Sequence, residues 1–135
     1  MNIVKMFDVI KNVAEDSGLV NDVRLIKSGE NVENAVLTKG YRKLLITASR
    51  ASLYKEDNDI VFHLMVLDKT DEDNTLYLHS INDGIALIRI IIDSVSKVYH
   101  NRANVTQLEI SSGKDEDSLM TSIECDISLE FNIID

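Results

Sequence analysis

Apolar and polar residues alternate over Leu119–Asp135 for longer than in most complete strands. Leu119, Thr121, Ile123, Cys125, Ile127, Leu129, Phe131 and Ile133 fall on one side, and Ser122, Glu124, Asp126, Ser128, Glu130 and Asn132 on the other. A strand sends successive side chains to opposite faces, so this period of two predicts a long final strand with one dry face and one wet, acidic face. A single covered face fits an antiparallel sheet. At roughly 3.3 Å per residue the segment would reach about 55 Å, more than a small domain covers by itself, so the pattern also predicts assembly.

A different period rules the start of the chain. Ile3, Val4, Met6, Phe7, Ile10, Val13 and Ala14 recur at three- and four-residue intervals and predict an amphipathic helix from about Asn2 to Ser17, with Asn2 as its cap and Gly18 as its left-handed stop. Asp22–Lys27 reads as a short strand, Ser28–Gly40 as a loop or a strand with an irregular turn, and Tyr41–Leu53 as a strand leading into the turn residues Lys55-Glu56-Asp57-Asn58-Asp59. Ile60–Asp68 is the most hydrophobic strand, apolar on both faces, as expected of a central strand whose second face is covered by something further, a neighbouring subunit included. Ile81, Ile85, Ile88, Ile91, Ile92, Val95, Val98 and Tyr99 trace a second helix, capped by Ser80 or Asn82, with Leu87 and Ile90 outside its narrow stripe and Arg89, Asp93 and Lys97 on its polar side. Val105–Ser111 then gives a strand, Ser112–Ser118 a turn, and the final strand follows. The expected fold class is α+β: a mainly antiparallel sheet with two helices packed on one face, in the order α-β-β-β-α-β-β, with residues 1–135 forming one domain.

Composition narrows the function without naming it. The chain has 135 residues, 44% of them hydrophobic and 27% charged, which are ordinary globular values. A formal net charge of −9 opposes gripping nucleic acid through its phosphates, yet it suits a wall past which DNA must slide without sticking. The single cysteine, Cys125, lies on the dry face and reads as a buried, inert thiol. Met1–Ser17 carries Lys5, Asp8 and Lys11 where a signal peptide would be apolar, and no apolar run approaches a membrane span, so the expectation is a protein that is cytosolic when made and contacts no membrane.

Three acidic clusters are conspicuous: Glu56-Asp57-Asn58-Asp59, Asp71-Glu72-Asp73-Asn74 and Asp115-Glu116-Asp117. None has calcium-loop spacing, so they read as solvated turns, or as an acidic rim if ring symmetry repeats them. His63, His79 and His100 are scattered, with no second ligand at metal spacing. Nucleophile elbows and glycine-rich phosphate cradles are missing from the sequence. The chain is therefore expected to be no enzyme and to use no cofactor or metal.

A resemblance enters at Phe62-His63-Leu64-Met65-Val66-Leu67-Asp68, followed by the acidic loop Asp71-Glu72-Asp73-Asn74 and the helix opening His79-Ser80-Ile81-Asn82-Asp83. Here the chain resembles tailed-phage tail-completion or tail-terminator proteins and the related ring proteins of the phage neck. In that family an N-terminal helix precedes a hairpin whose second strand ends apolar-apolar-Asp, and a helix and a long alternating strand come later. The resemblance implies a structural virion protein: a homo-oligomeric ring, commonly hexameric or dodecameric, between the portal side and the tail, contacting adjacent neck, portal or tail proteins while DNA passes without specific binding. Phe62, Leu64, Val66, Leu87, Ile91, Ile127 and Leu129 are the expected subunit-interface positions. Asp57, Asp59, Asp71, Glu72, Asp73, Asp115, Glu116 and Asp117 are the acidic-loop positions. The alternative function is an intracellular adaptor module that docks one protein partner.

Overall fold

The final strand, β6 (Ser118–Phe131), carries much of the sheet, because different strands meet it on its two edges. A computed structural model of the chain describes residues 3–27, 41–53, 58–71, 73–99, 103–115 and 118–131. On one edge β6 runs antiparallel to the whole of β3 (Asn58–Lys69), with Phe62 opposite Ile127 and Leu64 opposite Cys125. Its other edge is shared by β4 (Ala103–Val105), which pairs with Ile127–Leu129, and β5 (Glu109–Asp115), which pairs with Ser118–Glu124. Beyond β3 lie β2 (Lys43–Leu53), joined as an antiparallel hairpin partner, and β1 (Asp22–Leu25), parallel to β2. The β2–β3 register shifts at Ser49, a bulge between the pairs Ala48–Phe62 and Arg50–Val61.

Two helices pack on one face of this mostly antiparallel sheet, in the expected order, with the penultimate strand divided in two at Thr106–Leu108. Helix α1 (Ile3–Asp16) buries Met6, Ile10 and Ala14. It stops where Gly18 takes φ +73° and the Ser17 hydroxyl donates to the Ala14 carbonyl at 2.7 Å. Helix α2 (Asn74–Val98) begins earlier than the apolar stripe suggests, and its cap is Asp73, whose carboxylate accepts from the Leu76 N–H at 3.0 Å, in place of Ser80 or Asn82. Among the described residues it is the one helix long and apolar enough to cross a membrane. Its buried stripe, Ser80, Gly84, Leu87, Ile88, Ile91 and Val95, lies on the core side, while Leu78, Ile85, Ile90 and Val98 are exposed.

The face that α2 buries is rotated from the expected one. Leu87, placed outside the stripe by its spacing, is fully buried, whereas Ile85 is 39% exposed. Small residues, Ser80 and Gly84, lie in the buried stripe. A Cβ on Gly84 would lie 2.5 Å from Ile123 Cδ1, so a side chain there would oblige Ile123 to move.

Core packing corrects two further expectations. Phe62, Leu64, Val66, Leu87, Ile91, Ile127 and Leu129 are all buried inside the single chain, so the seven residues expected at a subunit interface form the domain's own core. They meet the two helices, and each side chain so covered contributes about 1.5–3 kcal/mol of apolar burial. On the opposite face of the sheet, Val61 and Leu67 of β3 and Leu45 of β2 are buried as well, which removes the need for a neighbouring subunit to cover them.

Candidate functional site

Arg42, just ahead of β2, fastens four segments. Its backbone N–H donates to Asn21 Oδ1 at 2.9 Å, and its Nη1 donates to the Leu19 carbonyl at 2.8 Å and to Asp83 Oδ2 of α2 at 3.2 Å. Nε donates to Asp68 Oδ2, at the end of β3, at 3.3 Å. Asp68 is 2% exposed and the Arg42 side chain 13%, so the charges are held against each other largely away from water. Beside them the hydroxyls of Thr70 and Thr121 meet at 3.1 Å in the interior. This cluster joins the α1–β1 connection, the sheet and α2.

A second polar cluster lies on the sheet face opposite the helices. His63 of β3 stands across from Asp126 of β6. Its Nδ1 is 2.7 Å from Asp126 Oδ1, and its Nε2 is 3.2 Å from Glu124 Oε1. Glu109 of β5 pairs directly with Glu124, and these residues, with Thr106 and Gln107, line an open depression of about 260 Å³. Burial alone would lower the proton affinity of His63, but the hydrogen bonds and negative charges of Asp126 and Glu124 outweigh it and raise its pKa above the ordinary histidine value. Cys125 points the other way, into the core, where burial and then the charge of Asp126 push its thiol up to about 12.

Along α2, where the helix overhangs β4, an apolar groove of about 330 Å³ opens between Ile85, Ile88 and Ile92 on one side and Val105 and Leu108 on the other, with Arg89 and Asp93 at its rim. Val105 is 43% exposed and Ile110 of β5 is 47% exposed. Both pair with core residues of β6 that face the helices, Ile127 and Ile123, so they extend the helix side of the sheet past the cover that α2 provides. This shelf is the large exposed apolar feature at the β4/β5 end of the molecule.

The described acidic-loop residues belong to different elements. Asp73 caps α2, Asp71 sits ahead of it in a left-handed conformation (φ +50°), and Asp59 and Asp115 belong to strands β3 and β5. Asp57, Glu72, Glu116 and Asp117, like the segment 28–40, lie outside the described residues. Among the described residues no three His, Cys, Asp or Glu side chains come together so as to hold a metal ion. Sequence reasoning missed both polar clusters. Asp68 was visible as the charge ending an apolar strand, but its partner Arg42 was not, and His63 became legible only through the β3–β6 register.

No protein-family model matches the chain, and no curated protein matches it.

Proposed function

We propose that the chain is a non-enzymatic building block that joins copies of itself head to tail in a closed ring, of the kind found in a phage neck or at the head-proximal end of a tail, with DNA passing through the middle. The observation that carries this reading is the apolar shelf of Ile85, Val105 and Ile110 at the β4/β5 end of the sheet. At the other end, β1 exposes Leu25 (50%), which pairs with Ile46 and so lies on the same helix side. The two ends are unlike, which favours a heterologous contact over a two-fold one, and a heterologous contact repeated with the right rotation closes a ring. Charge differs between them as well: at the β1 end Arg24 is paired with Asp22 at 2.9 Å and Lys27 is exposed, while at the β5 end Glu109 is exposed. The element order is the one that the resemblance implies, and the net charge of −9, repeated around a ring, disfavours DNA sticking in the channel.

Native mass spectrometry and negative-stain microscopy of the purified protein test the proposal. The expected result is a closed oligomer of defined number, alone or with a neighbouring neck protein supplied. Val105→Asp, at an exposed position, should dissociate it while leaving the circular dichroism unchanged. A protein that stays monomeric with every neck or tail neighbour supplied overturns the ring, and so does a closed oligomer indifferent to charge at both Val105 and Ile110.

A further inference from the structure

Both ring nitrogens of His63 lie within hydrogen-bonding distance of a carboxylate oxygen, Asp126 at 2.7 Å and Glu124 at 3.2 Å. A neutral imidazole carries one N–H, so its bare nitrogen would turn a lone pair toward a carboxylate; only the imidazolium satisfies both contacts. The other charged groups on this face among the described side chains are Glu109 from β5, Asp59 and Lys69 further along β3, Lys43 and Arg50 from β2, and Asp22 and Arg24 from β1; the β2 residue directly opposite His63 is the uncharged Thr47. Glu109 matters most, because it is the direct cross-strand partner of Glu124, and like charges in that position destabilise a strand pair. The same stretch of β6 is where its outer partner changes from β4 to β5. There the Asp126 N–H donates to Thr106 Oγ1 at 2.9 Å and the Thr106 N–H to the Asp126 carbonyl at 3.0 Å.

We propose that His63 is a charge-dependent clamp on the β5–β6 hairpin: as the imidazolium it neutralises Glu124 and holds it beside Glu109, and on losing its Nε2 proton it leaves those two carboxylates facing each other. The shorter contact to Asp126 is the one a neutral ring keeps, as donor from Nδ1, so Glu124 is the residue released. The direction with pH follows. A group whose proton affinity is raised by folding contributes stability that is complete below its unfolded value, about 6.5 for histidine, and is lost as pH rises through the folded value. The hairpin is therefore tight below the ordinary histidine value and loosens as pH rises through the raised one, with the neighbouring Thr106–Leu108 connection following it.

The test is a pH titration of the full chain carrying ¹³C-labelled histidine, with His63→Gln identifying the resonance, combined with hydrogen exchange of the β5 amides corrected for intrinsic rate. His63 is expected to titrate above the ordinary histidine midpoint, and β5 protection to fall severalfold over the same pH interval. Glu109→Gln should abolish the fall in protection while leaving the His63 midpoint above the ordinary value, and Glu124→Gln should move that midpoint down. A His63 midpoint at or below the ordinary value overturns the clamp. So does β5 protection that stays level while His63 titrates, or that falls equally in Glu109→Gln.

Discussion

Arg42→Met removes the guanidinium and keeps most of the side-chain stem, so it isolates what the fastening is worth. In the variant the Asp68 carboxyl, 2% exposed, loses its one guanidinium partner, while the Leu19 carbonyl and Asp83 each lose a donor. Breaking a buried ion pair by removing one partner costs about 3–5 kcal/mol. The low end applies here, because Asp83 is a third exposed and water can replace its contact. About 3 kcal/mol is a large share of the roughly 5–15 kcal/mol that keeps a domain folded, and at about 4 °C per kcal/mol it lowers the melting temperature by about 12 °C. Thermal and urea unfolding followed by circular dichroism, at one fixed protein concentration, measure it. Adding Asp68→Asn should recover part of the loss, because the stranded carboxyl is then gone; the double variant should fall at least about 1.5 kcal/mol short of the summed single effects. An Arg42→Met protein within about 0.5 kcal/mol of the parent, or single effects that simply add, would refute the view that these charges depend on each other.

Two more predictions follow from the core. Gly84→Ala gains about 1 kcal/mol of helix propensity but drives a methyl group to 2.5 Å from Ile123 Cδ1, an overpacking cost of about 1–3 kcal/mol, so a net loss near 1 kcal/mol is expected in urea unfolding. Ile123→Val, which removes the clashing carbon, should make the double variant more stable than Gly84→Ala alone. Cys125, buried and with its thiol pushed up to about 12, should resist a thiol reagent at pH 8 in the folded protein and react at once in urea; prompt labelling of the native chain would contradict the placement of β6.

How far the structure was legible depended on whether a contact is made by periodicity or by register. The alternation in β6 placed Ile123, Cys125, Ile127 and Leu129 on the buried face, and the helical spacing of Met6, Ile10 and Ala14 did the same for α1, because amphipathic periods report directly on burial. The buried face of α2 was misjudged because Ser80 and Gly84 carry no apolar signal, although both lie in the buried stripe. The surplus of oily positions in Phe62, Leu64 and Val66 looked like surface for a neighbour, when two helices and four strands of one chain suffice to cover them. Arg42 with Asp68, and His63 with Glu124 and Asp126, are separated by 26, 61 and 63 positions. No local pattern predicts such pairings, since a one-residue slip of register would send every side chain to the other face.

The pairing of β3 with β6 has a consequence for how the protein is made. During synthesis β2 and β3 leave the ribosome together and can zip locally, but the strand that completes the other edge of β3 follows only after α2 and the β4 and β5 segments have emerged. Until then a nascent chain carries the long apolar edge of β3 unpaired, the kind of edge that recruits foreign strands. Closing a loop of some 60 residues is entropically slow, so folding should be paced by this last docking. Shortening the chain before β6 should give an insoluble product, whereas removing α1 should spare the β2–β3 hairpin.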